Sequence, residues 1–275
     1  MTRFTLEVNF ILFFCAMMLI LLLLIGAILG AIGGGGGLLL FPLLVYLQGY
    51  SIDRASLLSM CIVSGASIIA LVSQKVKWKE MISKEILFFI LGAVIMIFSI
   101  KGMMSVVYSK MVADEYNKNI LNSALMFAFI PIIVYSAYRS WPSVNNDIRA
   151  RNWNAAIALL WGMITGMLAG LFGAGGGFII VPVLQQRARL EIKKAISASL
   201  VIISVNGLIG GWAPSIINKS ITIQECWWLL SVATGAVIGG FWSSKQKSET
   251  LKKGLSIFLW AVGLTIFVKE ILKWI

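Results

Sequence analysis

The feature that most constrains this 275-residue chain is the recurrence of long apolar runs separated by short polar gaps. Hydrophobic residues make up 59% of the sequence and charged residues only 12%, far from the balance of a water-soluble domain. A run of about 18 or more apolar residues is long enough to cross a bilayer as a helix. The pattern therefore predicts an all-α integral membrane protein, a polytopic helical bundle, rather than one or two soluble domains.

Ten apolar segments are predicted, eight of them long enough to span a bilayer and two of them short. The long segments are 9–32, 55–73, 86–107, 120–138, 153–172, 195–212, 227–242 and 251–272. The short segments, 38–47 and 178–184, each follow a glycine run directly. Since a helix rises 1.5 Å per residue, they are too short to cross a hydrocarbon core of ~30 Å, and each is predicted to be a half-helix.

The residues that most enzymes and metal sites need are missing or scattered. The sequence contains no histidine, and its three cysteines, Cys15, Cys61 and Cys226, lie apart in apolar stretches. The absence of histidine excludes His-based catalytic triads and most zinc hydrolase sites. Isolated cysteines supply neither a disulfide framework nor a CxxC metal site. We therefore predict no catalytic residue, no metal and no cofactor.

The chain is strongly basic, with 23 Lys and Arg against 11 Asp and Glu and a formal net charge of +12. In a soluble protein this charge would suggest a nucleic-acid partner. Here the basic residues are expected in the gaps between spans, where they orient the protein and contact anionic lipid headgroups. Membrane lipids, and not nucleic acid, are therefore the predicted partners of this charge.

An internal repeat at a constant offset of 140 residues is the strongest signal in the sequence. Residues 30–43 align with residues 170–183, with the glycines and one proline in register. Beyond them Ala55, Ser59 and Ser64 fall on Ala195, Ser199 and Ser204. The repeat predicts two membrane units, 1–140 and 153–275, joined by a basic cytoplasmic linker at 141–152. Each unit has four long segments, one of them broken by glycine before the short half-helix.

The charge pattern favours an inverted relation between the two units, because Lys and Arg in short loops prefer the cytoplasmic side. Eight simple spans would divide the basic residues 11 to 12 between the two sides of the membrane. If each glycine-broken segment and its half-helix instead form a re-entrant hairpin, the division becomes 15 inside and 8 outside. Each unit then crosses the membrane three times, so the second unit is predicted to be inverted.

The glycine runs at 33–37 and 173–177 predict a binding site for an anion. Glycine permits backbone conformations closed to other residues and lets a ligand approach the peptide N–H groups closely. The half-helix that follows begins with N–H groups that lack an intrahelical acceptor, at the positive end of the helix dipole, which attracts anions. Broken helices in inverted repeats build substrate sites in this way in secondary transporters. The alternative is that the glycines only permit close helix packing.

Hydroxyl groups near the glycine runs supply further neutral donors, and the repeat pairs Ser59 with Ser199 and Ser64 with Ser204. A serine in a membrane helix is equally suited to bonding a carbonyl of its own helix. Asn206, which aligns with Ala66, is equally suited to joining two helices. The candidate substrate-binding residues are Gly33, Gly35, Gly36, Gly37, Leu38, Ser59, Ser64, Gly173, Gly175, Gly176, Gly177, Phe178, Ser199, Ser204 and Asn206.

All eleven acidic residues fall at span ends or in polar gaps. Cation transporters and proton pumps usually keep an Asp or Glu within the membrane. A site of N–H groups and hydroxyls without such a carboxylate suits a compact oxyanion better than a cation. Arg54 and Lys194, at matching positions before the second long span of each unit, either guide an anion inward or extend their charges to lipid headgroups.

The two glycine runs, each followed by Pro42 or Pro182 and an Ala-x-x-x-Ser element, resemble the TauE/SafE family, also called the 4-toluene sulfonate uptake permease family. The similarity covers nearly the whole chain. It implies a duplicated bacterial inner-membrane protein that moves sulfite, thiosulfate, sulfonates or related sulfur-containing anions. The run of five glycines departs from the second repeat, which has Ala174 where the first has Gly34.

The sequence thus predicts a multi-pass inner-membrane transporter for a small sulfur-containing anion, working by alternating access around two opposed half-helix N-termini. One alternative is an anion channel with a glycine-lined pore. Another, from a different class, is an intramembrane enzyme, but the chain has no histidine and no pair of aspartates within its spans to serve as an acid–base dyad.

Overall fold

The computed structural model describes residues 2–33, 36–74, 83–111, 115–141, 153–173, 175–211 and 222–274. Gly35 of the candidate site and linker residues 142–152 lie outside the described residues. Within those residues the chain forms ten α-helices and no strands. They are α1 (Thr2–Ile32), α2 (Gly37–Gln48), α3 (Ile52–Ser73), α4 (Lys84–Met111), α5 (Glu115–Ser140), α6 (Ala155–Phe172), α7 (Gly177–Gln186), α8 (Ile192–Gly211), α9 (Ile223–Lys245) and α10 (Ser248–Trp274).

The ten helices correspond one to one to the ten predicted apolar segments, and the two that follow glycine runs, α2 and α7, are short as expected. Six of the described helices are long and apolar enough to cross a membrane, namely α3, α4, α6, α8, α9 and α10. The sequence prediction of an all-α, multi-pass membrane protein is confirmed at this level.

The start of each short helix lies against the long helix that precedes it. A methyl group on Gly36 would overlap the carbonyl oxygen of Ile25, well before the end of α1. In the same way a methyl group on Gly176 would lie 3.2 Å from the carbonyl oxygen of Thr165 in α6. Each glycine turn therefore brings the start of the half-helix against the helix before it.

Two pairs of long helices pack in parallel with their backbones in close contact. Methyl groups on Gly26 and Gly30 of α1 would overlap backbone atoms of Val232 and Ala236 in α9. Between α4 and α6, Gly162 and Gly166 lie in the same manner against Phe89 and Ala93. In both pairs the contact residues advance together along the two helices, so the helices are parallel. The absence of a side chain at these glycines permits the close approach.

Helices α3 and α8 cross at the centre of the bundle and are the most deeply buried of the candidate spans. Gly207 of α8 lies against Ser64 of α3, and Gly211 lies against Cys61. The residue numbers rise along one helix as they fall along the other, so these two helices are antiparallel. They form the surface on which both glycine turns are seated.

One part of the charge prediction is wrong. Lys101 does not lie in a gap between spans: it is within α4, inside a candidate span, and its side chain is only 9% exposed. Its ammonium group donates a hydrogen bond to the hydroxyl of Ser56 in α3 at 2.6 Å. An apolar segment accommodates this charge because a polar group of the neighbouring helix solvates it.

Candidate functional site

The two predicted glycine turns are each held by a serine from the other half of the chain. The hydroxyl of Ser199 in α8 donates to the carbonyl oxygen of Gly33 at 2.7 Å. Correspondingly, the hydroxyl of Ser59 in α3 donates to the carbonyl oxygen of Gly173 at 2.7 Å. Both serines are fully buried. The structure thus brings these four predicted site residues together in two equivalent arrangements.

Glycine is required in these turns on two grounds. Gly33 and Gly173 have φ angles of +72° and +65°, which side-chain-bearing residues adopt only with strain. A methyl group on Gly173 would also overlap the carbonyl oxygen of Ser56, and one on Gly33 would lie 2.8 Å from the Cα of Ile196. The turns are consequently pressed against the backbones of α3 and α8.

The half-helices begin directly after these turns, inside the bundle. Neither N-cap residue, Gly36 or Gly176, makes a side-chain cap. The first hydrogen bonds within the helices run from the N–H of Leu39 to Gly36 and from the N–H of Ile179 to Gly176, at 3.1 and 3.0 Å. The N–H groups of Gly37 and Gly177 precede them and have no acceptor within their helix. These two N-termini carry partial positive charge away from bulk water.

Ser59 and Ser199 also lie within hydrogen-bonding distance of a carbonyl of their own helix, that of Ser56 at 3.1 Å and that of Ile196 at 2.7 Å. Ser64 and Ser204 bond only within their own helices. The hydroxyl of Ser64 donates to the carbonyl oxygen of Cys61 at 3.0 Å, and that of Ser204 donates to Leu200 at 2.7 Å. Phe178 contributes a backbone carbonyl oxygen that accepts from the hydroxyl of Ser136 at 2.6 Å. In this conformation the hydroxyl hydrogens of the predicted serines are therefore directed at protein carbonyls.

Asn206 differs from these residues because its polar atoms are unused. Its side chain is completely buried in α8, and neither the amide nitrogen nor the amide oxygen has a hydrogen-bond partner among the described residues. It lies one helical turn beyond Ile203, whose side chain packs against the Gly175 position. Since burying an unpaired amide costs free energy, Asn206 is a polar group available to a ligand.

Arg54 forms an ion pair that joins the two halves of the chain. Its guanidinium group lies 3.0 Å from the Glu225 carboxylate, which is 4% exposed, and it stacks on the ring of Tyr50. Burial and the Glu225 charge raise the pKa of Tyr50 above its usual value. Glu225 also accepts from the N–H of Thr222 at 2.9 Å, which completes a capping box at the start of α9. Lys194, which aligns with Arg54 in the predicted repeat, is exposed.

A cavity of about 340 Å³ lies beside the second half-helix, between α5, α6 and α7. Its walls are largely apolar, with Pro131 and Tyr135 from α5 and Pro182 from α7. Arg187 stands in its lining and stacks on the ring of Trp161, 5.2 Å from the centroid. The cavity therefore borders the flank of α7 and not the glycine turn itself.

Sequence reasoning missed two charged contacts, Lys101 with Ser56 and Arg54 with Glu225. A signal for the first was present, because a lysine inside the apolar run 86–107 is costly in a bilayer and such residues are usually functional. The second joins residues far apart in the sequence, and no local pattern identifies such partners.

The known proteins to which this chain is similar are described as membrane transporters or exporters. The sequence profile described as Sulfite exporter TauE/SafE matches residues 18–269. A "probable membrane transporter protein" of Haemophilus influenzae is 28% identical over 163 residues, covering 54% of this chain and 60% of that protein. Another protein described in the same words, from Methanocaldococcus jannaschii, is 46% identical over 54 residues, 18% of this chain and 20% of its own length. No solved structure matches the chain significantly.

Proposed function

The chain belongs to the sulfite exporter TauE/SafE family of membrane transporters, and on that premise we propose that it carries a small sulfur-containing anion, such as sulfite, thiosulfate or an organosulfonate, across the inner membrane. The observation that carries this proposal is the pair of glycine turns, each bonded by a serine of the other half of the chain. Each turn precedes a half-helix whose first N–H groups have no acceptor within the helix. Such N-termini favour negative charge.

The proposed architecture is two inverted repeats, each containing one re-entrant hairpin. Helices α3 and α8, which the sequence repeat aligns with each other, run antiparallel, as inversion requires. The start of α2 lies against α1 and the start of α7 lies against α6, which supports the two hairpins. In this arrangement the half-helix N-termini approach the centre of the bundle from opposite sides, a geometry that secondary transporters use for substrate binding.

The proposed site consists of the first N–H groups of both half-helices, from Gly36, Gly37 and Leu38 and from Gly176, Gly177 and Phe178. The buried amide of Asn206, which has no partner among the described residues, supports a polar ligand nearby. Ser59 and Ser199 hold the turns in place and link each half to the other. Rocking of one half against the other around these turns would alternate access to the anion.

Flux through the purified protein in proteoliposomes tests this function. We expect uptake of radiolabelled sulfite or thiosulfate that unlabelled substrate inside the vesicles accelerates by exchange. A channel would show no exchange acceleration and a much higher flux. Failure of every sulfur anion, together with transport of a carboxylate or a cation, would contradict the proposed substrate class.

A matched pair of glycine variants tests the site. Gly176 and Gly49 both have positive φ, +72° and +65°, and a methyl group on Gly49 would meet nothing within 4 Å. Alanine therefore introduces a similar backbone strain of about 1 kcal/mol at each position. At Gly176 the methyl group also lies 3.2 Å from the carbonyl oxygen of Thr165, so melting temperatures of both variants are measured beside the flux. We expect Gly176→Ala to abolish most of the flux and Gly49→Ala to retain it. Equal flux in the two variants would contradict a substrate site at the second turn.

A further inference from the structure

We propose that Lys101 is the residue that selects the charge of the transported anion, acting beside the second glycine turn. This inference rests on the proposed anion site and deepens it. It adds one fixed positive charge to a site whose other donors, the backbone N–H groups, are neutral.

The surroundings of Lys101 differ from those of the other deeply buried charge. Among the described residues, the side chains with a formal charge in the buried set are Lys101 and Glu225. Glu225 is paired with Arg54 at 3.0 Å, whereas the hydrogen bond of Lys101 goes to the neutral hydroxyl of Ser56. Asp53 interacts with Lys101 electrostatically, but no carboxylate of the described residues lies within ion-pair distance of its ammonium group. A charge held in this way within a span is expensive and usually functional.

The position of the ammonium group connects it to the turn. The hydroxyl of Ser56, which accepts from Lys101, lies 3.4 Å from the carbonyl oxygen of Gly170. The backbone of Ser56 is in contact with the Gly173 position, and Ser59, on the next turn of α3, donates to Gly173. Lys101 is therefore separated from the glycine turn by a single hydroxyl-bearing residue.

The hydrogen-bonding capacity of Lys101 exceeds what the described residues use. An ammonium group has three N–H donors, and Ser56 takes one of them. The remaining donors suit the oxygen atoms of a sulfite, thiosulfate or sulfonate group, and hydrogen bonds between ionised partners are the stronger kind. In the repeat alignment through Gly92 and Gly235, Lys101 falls on Ser244, so the second half provides no equivalent charge.

A fixed cation makes affinity depend on ligand charge in a way that neutral donors and a purely structural lysine do not. Since Coulomb energy is proportional to the charge of the ligand, removing the ammonium should weaken a dianion more than a monoanion. A tenfold loss of affinity for the dianion corresponds to about a threefold loss of affinity for the monoanion, because the change in binding free energy is halved. A zwitterion of zero net charge should be affected least.

The test measures binding of thiosulfate, methanesulfonate and taurine to the purified protein by thermal shift, at fixed pH and ionic strength. The variants are Lys101→Gln and Lys101→Arg, with Lys84→Gln as control, because Lys84 is an exposed lysine on the same helix. We expect Lys101→Gln to lower the affinity for thiosulfate about tenfold and the affinity for methanesulfonate about threefold. Lys101→Arg, which keeps the charge, should preserve the preference for the dianion, and Lys84→Gln should bind as the wild type does.

The outcomes separate this inference from the function on which it rests. Suppose that the wild-type protein binds thiosulfate. If Lys101→Gln then binds it with the same affinity, or loses equal affinity for all three ligands, the charge-selecting role is overturned and the transport proposal stands. Wild-type protein that binds no sulfur anion overturns both. If Lys101→Gln does not fold, Lys101→Arg decides: loss of the dianion preference in a folded, charge-conserving variant contradicts the inference.

Discussion

At the scale of single residues, two serine hydroxyls determine how the glycine turns are held. Ser59 and Ser199 are fully buried, and each bonds a turn carbonyl that belongs to the other half of the chain. A buried carbonyl oxygen that loses its donor retains the cost of its desolvation. These hydroxyls therefore stabilise the contact between the halves as well as the shape of each turn.

We expect Ser59→Ala and Ser199→Ala each to lower the free energy of unfolding by about 1–3 kcal/mol, because Gly173 or Gly33 is left with an unsatisfied carbonyl. Ser99→Ala is the control, since Ser99 is exposed and bonds a carbonyl of its own helix. Thermal denaturation in detergent measures the difference. If the two buried variants melt at the same temperature as Ser99→Ala, a structural role for the hydrogen bonds from Ser59 and Ser199 to the glycine turns is contradicted.

The glycine turns and these serines could be predicted because the same residue pattern recurs in the sequence at an offset of 140 residues. Lys101 was missed because one lysine scarcely changes the hydropathy of a long apolar run. Its meaning depends on Ser56, a partner on another helix. The same limit applies to Arg54, whose partner Glu225 is brought close only by the packing of α3 against α9.

At the scale of helices, backbone-to-backbone packing fixes which elements are neighbours. Helix α1 packs against α9 and α4 packs against α6, with glycines at the points of closest approach. Helix positions were predictable because apolar length alone determines what can span a bilayer. The pairing of the helices could not be predicted. A glycine indicates a surface that another helix can approach closely, but it does not identify that helix.

We expect Gly30→Ala in α1 and Gly166→Ala in α6 to destabilise the protein by about 1–3 kcal/mol each, since overpacking must push the paired helices apart. The added methyl groups would overlap the carbonyl oxygens of Ala236 and Ala93. Gly102→Ala is the matched control, because a methyl group there would meet nothing within 4 Å and alanine favours the helix. Melting temperatures that fall equally in all three variants would contradict the close packing.

At the scale of the whole molecule, several basic residues of the described chain lie at one end of the bundle. Arg187 lies on Trp161 near the start of α6, and Lys193 donates to the carbonyl oxygen of Ser244 near the end of α9. The side chain of Gln74, just after α3, contacts the Gly240 position of α9. The start of α8 and the ends of α3 and α9 are thus on one side of the bundle. The preference of Lys and Arg for the cytoplasm predicts that this is the inner side.

This sidedness leads to opposite predictions for re-entrant hairpins and for eight simple spans. With hairpins, Lys194→Cys and Lys247→Cys in a cysteine-free background should react with a membrane-impermeant maleimide only from the cytoplasmic side, and Ile223→Cys only from the outer side. All three positions are exposed. Eight simple spans with the N-terminus inside reverse all three results, while Lys84→Cys is cytoplasmic in both schemes and serves as the control. Labelling of Lys194→Cys from outside would therefore exclude the hairpins, and with them the opposed half-helix N-termini of the proposed anion site.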